Sequence, residues 1–164
     1  MTNGKYSREE IERTFTAFRA ALARAMTTGD WTEWASFYAT DAVYVEHAMG
    51  TFRGRAEIKR WIERTMALPL VEHIEAFPIG WYVIDEQRGW VIAQFFSRMR
   101  DPGDGSRHET YNVTILHYAG NGQWSYEEDI YNPAIMQSML QEWAARRAAI
   151  SGDQSTAPRR EDHA

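Results

Sequence analysis

Near the start of the chain, Ile11, Phe15, Phe18, Leu22 and Met26 recur at helical spacing on one face. Ser7 with Glu10 three residues on forms a capping box that starts such a helix, and Gly29 stops it. Asp30 is placed to cap a second, shorter helix carrying Trp31, Trp34, Phe37 and Tyr38. The period then changes. Over 41–47, Val43 and Val45 alternate with Tyr44 and Glu46, as a strand requires. Gly50 and Gly54 bracket a turn. A third helix is expected over 56–67, with Ile58, Trp61, Ile62 and Met66 as its apolar stripe and Pro69 beyond its end.

After Val71 the pattern predicts strands over 72–79, 80–84, 90–100, 108–118 and 123–131. They are separated by a turn at 85–89, an Asp/Pro/Gly loop at 101–105 and the Asn121-Gly122 hairpin signal. Asn132-Pro133 opens a C-terminal helix whose inner face is Ile135, Met136, Met139, Leu140 and Trp143. Residues 151–164 carry no apolar stripe and are expected to be a disordered tail, leaving 1–150 as one domain. Helices followed by hairpin-connected strands predict an α+β fold. Its curved antiparallel sheet would form a cone around the N-terminal helices and enclose an apolar pocket.

Composition narrows the function classes. A chain of 164 residues suits a single core. The net charge of −5, with no basic face, argues against nucleic acid as a partner. The absence of cysteine excludes disulfides, thiolate chemistry and cysteine-based zinc sites. His47, His73, His108 and His117 do not fall at metal-ligand spacing, so no metal is expected. Phosphate-loop, nucleophile-elbow and dinucleotide signatures are missing, so no cofactor is expected either. No apolar run approaches the roughly 20 residues that cross a bilayer, and no targeting signal is visible; the expectation is a cytoplasmic protein with no membrane partner.

Several segments carry a resemblance. Gly29-Asp30-Trp31, the run Phe37 to Val45, and Gly54-Arg55-Ala56-Glu57-Ile58 resemble the opening of the SnoaL-like, nuclear transport factor 2-like family. Gly122-Gln123-Trp124 and Asp129-Ile130-Tyr131-Asn132 are similar to its last strand. The resemblance covers about residues 7–148. The family includes ketosteroid isomerases, polyketide cyclases, scytalone dehydratase, limonene epoxide hydrolase and non-enzymatic binding modules, so fold alone does not choose a function. It implies a homodimer formed through the outer sheet face, where Trp90 and Phe96 are expected.

Alternation along the strands nominates the pocket wall. Val91, Ala93, Phe95, Ser97 and Met99 share the less polar face of their strand. On the next strand Tyr111, Val113, Ile115 and His117 are expected to point inward. On the last, Ser125, Glu127, Asp129 and Tyr131 share a face, as do Tyr44 and Glu46 on the first. Phe18 and Leu22 would contribute from the first helix.

By resemblance, Glu46 stands at the offset from Asp41 at which ketosteroid isomerases hold their proton-moving carboxylate. Tyr111 falls where they carry the protonated acid of an oxyanion hole. Leu22 stands where they have a second donor, a tyrosine. Asp129 is similar to the aspartate that helps activate water in the epoxide hydrolase. That enzyme's Arg and Asp on the middle strand have no counterpart among Ala93, Phe95 and Ser97. His117 could serve as acid or base, as histidines do in scytalone dehydratase.

The competing structural readings are a salt-bridged strand-end glutamate for Glu46, a wall aromatic for Tyr111 and a carboxylate near a helix start for Asp129. Together these give a cofactor-free acid–base enzyme of isomerase or lyase type, acting on a hydrophobic cyclic small molecule. Glu46, Asp129 and Tyr111 are its catalytic candidates. The ligand contacts would be Tyr44, Phe95, Ser97 and Tyr131, joined by Val113, Ile115, His117, Phe18 and Leu22. The alternative is a non-catalytic binding or dimerisation module of the same fold.

Overall fold

The structure is a computed structural model and describes residues 5–156. Helix α1, Arg8–Thr28, starts where Ser7 Oγ accepts the Glu10 N–H at 3.2 Å. It ends at Gly29, whose φ of 75° is a left-handed conformation that glycine adopts without a Cβ penalty. Its buried face is Ile11, Phe15 and Phe18, as the 3.6-residue period requires. Asp30 Oδ1 accepts the Thr32 N–H at 2.9 Å and launches the short α2, Thr32–Ser36.

Strand β1, Tyr38–Glu46, turns back into β2, Gly50–Arg53. Residues 50–53 were expected to be a turn and are instead a strand, paired antiparallel with β1 from Val43↔Arg53 to Glu46↔Gly50. Their reversal is closed by Glu46 itself, whose Oε2 accepts the N–H of Ala48 at 3.0 Å and of Met49 at 2.5 Å.

Helix α3 is Arg55–Met66, and a 3-10 turn at Val71–His73 leads into β3, Ile74–Ala76, and β4, Ile79–Asp85. The strand expected at 72–79 is thus broken, because Pro78 has no N–H to offer a ladder. Both pieces still lie along the same edge of β5, Trp90–Met99, with Ile74↔Met99 and Ile79↔Phe95 in register. The Phe96 N–H donates to Pro78 O at 2.8 Å across the gap. Strands β6, Glu109–Gly120, and β7, Gln123–Ile130, complete a seven-stranded sheet in the order β2-β1-β7-β6-β5-β3, with β4 also on β5.

One pairing is parallel: β1 on β7. The sheet is therefore mixed and not purely antiparallel. It is curved and unclosed, and α1 lies against its concave side. Phe15 meets Phe95 and Trp124 at ring-centroid distances of 6.2 and 6.5 Å, and Trp124 is fully buried. Burial of each large side chain here is worth about 1.5–3 kcal/mol.

Helix α4 runs Pro133–Thr156. Residues 151–156, expected to belong to a disordered tail, continue the helix, and the rest of that tail lies outside the described residues. Tertiary docking overrides the weak local signal. Trp143 is buried and donates Nε1–H to Arg100 O at 2.6 Å, and Arg146 pairs with Asp104 in the β5–β6 loop. Among the described residues no helix is long and apolar enough to cross a membrane.

Candidate active site

The concave sheet, α1, α3 and the first half of α4 leave a cavity of about 210 Å³. Its walls are mostly apolar. Phe18 and Leu22 come from α1, Trp61 and Ile62 from α3, and Met136 and Leu140 from α4. Met49 and Leu68 also line it and are 47% and 41% exposed, so the opening lies between the β1–β2 turn and the segment after α3.

Three carboxyl groups line this space: Glu46, Glu127 and Asp129. The parallel pairing brings them together. Tyr44 is in register with Glu127, and Glu46 with Asp129, so alternate residues of two strands far apart in sequence point into one hollow.

Asp129 is held by three donors. Asn112 Nδ2 and Thr114 Oγ1 donate to Oδ1 at 2.8 and 2.5 Å, and the Tyr44 hydroxyl donates to Oδ2 at 2.5 Å. Glu127 is 5% exposed, and its Oε2 accepts the Tyr38 hydroxyl. Tyr131 is hydrogen-bonded to Glu46, and burial is the main cause of its raised pKa.

Burial dominates the electrostatics. Desolvation pushes Glu127 well above the usual carboxylate range, and the neighbouring Asp129 charge pushes the same way. Desolvation also raises Asp129, with Glu46 adding to the rise, but its bonds from Thr114, Tyr44 and Asn112 favour the anion and limit the shift. Tyr38 and Tyr44 are both pushed far up, first by burial and then by the adjacent carboxylates, so they remain neutral donors. The two β7 acids titrate as a pair, and burial favours a proton shared between them.

The structure separates the expected pocket residues into two sets. Glu46, Asp129, Tyr44, Phe95, Ser97, Tyr131, Phe18 and Leu22 all line the cavity. Tyr111, Val113, Ile115 and His117 do not. Cross-strand register puts Asn112 opposite Phe95 and Thr114 opposite Ala93, so β6 turns its even-numbered residues inward. Tyr111 is 55% exposed and meets Phe96 on the outer face. His117 stacks between Trp90 and Tyr126 there, at 4.3 and 4.5 Å, and partial burial lowers its pKa. Tyr111 is therefore not a catalytic candidate, and Val113, Ile115 and His117 are not ligand contacts.

Hydrophobicity misleads on β6 because its inner face holds the polar residues that bond to Asp129, while its outer face is apolar. Ser125 also leaves the predicted face. It is exposed at a bulge where Tyr118 pairs with Trp124 and His117 with Tyr126. Glu127, Tyr38, Asn112 and Thr114 were not singled out from sequence. Only Glu127 had a readable signal, its position two residues before Asp129 on the same face.

The SnoaL-like domain pattern matches residues 18–127. No curated protein matches the chain. Among solved structures, an M. tuberculosis LEH-like epoxide hydrolase is similar at TM-score 0.63 and 15% identity, over 87% of this chain and 93% of that one. A protein from Xanthomonas campestris pv. campestris named as a polyketide cyclase is similar at TM-score 0.58 and 19% identity, over 85% and 98%. A steroid delta-isomerase from Pseudomonas aeruginosa is similar at TM-score 0.54 and 15% identity, over 94% and 100%. At these identities the likeness is one of fold.

Proposed function

The chain belongs to the SnoaL-like domain family, and we propose that it is a cofactor-free acid–base enzyme of isomerase, cyclase or dehydratase type acting on a hydrophobic cyclic molecule. The observation that carries this reading is the pair of β7 carboxyls in one apolar cavity, Asp129 held by three donors and Glu127 bonded to the Tyr38 hydroxyl. Burial raises the proton affinity of both, and the donors on Asp129 favour its anion.

In this reading Asp129 is the base. Its Oδ1 is filled by Asn112 and Thr114, while Oδ2 accepts only from Tyr44 and keeps a lone pair for a substrate proton. Glu46 beside it increases its proton affinity, which brings a carboxylate toward the range useful to a general base. Glu127 is the acid. With Oε2 accepting from Tyr38, its proton resides on Oε1 and can be donated to a carbonyl oxygen as charge develops there. A proton leaves carbon to Asp129, the carbon–hydrogen electron pair moves into an enol, and Glu127 protonates its oxygen.

We also propose that two copies pair through the convex sheet face, where Trp81, Val83, Tyr111 and Ile130 are exposed large apolar residues.

The test is hydrogen exchange from the α-carbons of a panel of cyclic ketones in D₂O, followed by NMR. Wild type is expected to exchange them, with Asp129→Asn and Glu127→Gln slower by about 10²–10⁴-fold while the fold is retained. Exchange by Asp129→Asn at the wild-type rate would remove Asp129 as base. No exchange by any form would favour a binding module.

A further inference from the structure

We propose that the natural ligand of this cavity carries a protonated amine: the site takes an organic cation on an apolar skeleton, with the ammonium between Glu46, Asp129 and the rings of Tyr44 and Trp61. The proposal rests on the reading of this cavity as the substrate site and names the class of molecule it selects.

Charge balance is the first argument. Glu46, Glu127 and Asp129 all line the cavity, and no Lys, Arg or His does so among the described residues. Outside the cavity several acids are ion-paired: Glu33 with Arg24, Asp85 with Arg88, Glu109 with Arg98, Asp104 with Arg146 and Glu128 with His47. The acids this chain buries most completely, Glu46 and Glu127 at 6% and 5% exposure, have no cation beside them among the described residues and are satisfied by hydrogen bonds or a bound proton instead. A neutral ligand leaves these acids holding their protons and an anion opposes their ionisation, whereas a cation lets a buried carboxyl ionise beside it.

The second argument is independent of the carboxylates. The wall beside Glu46 is aromatic. Tyr44 and Trp61 lie 4.6 Å apart between ring centroids, and Trp31 and Trp34, further along the same cavity, stand at 5.4 Å and 89°. Aromatic faces attract an alkylammonium and bury its methyl groups at the same time. The indole N–H groups of Trp34 and Trp61 are buried and have no hydrogen-bond partner among the described residues.

The third argument is position. Glu46 is at the end of β1, and Met49 at the cavity mouth lies in the turn that Glu46 closes. An ammonium entering there meets Glu46 first, with Asp129 in register beside it on β7. Such a cation also favours the ionised forms of the acids it meets, so its binding should release protons.

The experiment compares three molecules of one skeleton: N,N-dimethylcyclohexylamine, a cation at neutral pH; 1-cyclohexylethanone, which is neutral; and cyclohexanecarboxylate, an anion. Affinities are read by isothermal titration calorimetry on the full chain, in buffers of different ionisation enthalpy. The amine is expected to bind at least ~10-fold tighter than the ketone, the carboxylate least, with net proton release on amine binding alone. Glu46→Gln, which keeps an acceptor for the Ala48 and Met49 N–H groups, should cut the amine's advantage by about 10-fold and leave ketone affinity within about twofold. The proton-release measurement needs no variant, so an unstable Glu46→Gln does not decide the outcome. Ketone binding as tight as the amine's, or amine binding without proton release, would overturn the cation assignment while leaving the acid–base reading intact. Binding of none of the three at millimolar concentration would overturn both.

Discussion

Replacing Glu127 by Gln tests the electrostatics of the site without any knowledge of the substrate. Glu127 is buried, its pKa is pushed well above the usual range by desolvation, and its Oε2 accepts from Tyr38. In the unfolded chain a glutamate titrates near 4.3. A raised pKa means the folded state binds the proton more tightly. Its contribution to stability is fully present below about pH 4.3 and is lost as pH rises toward the folded value. Within that window one proton costs about 1.4 kcal/mol of stability per pH unit. Glutamine keeps a carbonyl oxygen for Tyr38 and cannot ionise, so this slope disappears. For each pH unit between the unfolded and the folded pKa the wild type should therefore lose up to about 1.4 kcal/mol more than Glu127→Gln, or about 3–6 °C in Tm for a chain of this size. Asp129 is also raised, but by burial and by Glu46, both of which the variant retains, so its contribution subtracts out. Urea unfolding followed by tryptophan fluorescence at several pH values measures the difference. Parallel stability–pH curves for the two proteins would refute a proton held on Glu127.

Thr114→Val removes a 2.5 Å hydrogen bond that favours ionised Asp129. The Asp129 pKa should rise further, moving the acidic limb of an exchange-rate profile to higher pH; an unmoved limb would argue against Asp129 as base. Trp143→Ala deletes a 1%-exposed ring and its bond to Arg100 O, and should cost about 3–5 kcal/mol, readable as a Tm lower by roughly 6–20 °C. Tyr111→Phe, far from the cavity on the exposed outer face, should leave ligand binding and turnover unchanged. Light scattering at micromolar concentration should give a dimer and Trp81→Glu a monomer, whereas a monomeric wild type would remove the convex face as an interface.

The sequence by itself determined what local chemistry decides. Ser7 and Glu10 set the start of α1 and Gly29 its end, Asn121-Gly122 set the β6–β7 hairpin, and alternation correctly grouped Val91, Ala93, Phe95, Ser97 and Met99 on one face. Asp129, Glu46 and Tyr44 were legible as pocket residues for the same reason. Alternation, however, says which residues share a face and not which face is inside. On β6 that choice is made by the pairing of Asn112 with Phe95, and it reversed the expectation for Tyr111, Val113, Ile115 and His117. The parallel pairing of β1 with β7 is equally invisible in sequence, because it joins strands some eighty residues apart through backbone hydrogen bonds that carry no side-chain signature. That pairing sets Glu46 beside Asp129 and Tyr44 beside Glu127. The shared burial that moves the proton affinities of Glu127 and Asp129 belongs to the hollow in which they meet, so it exists only once the chain has folded.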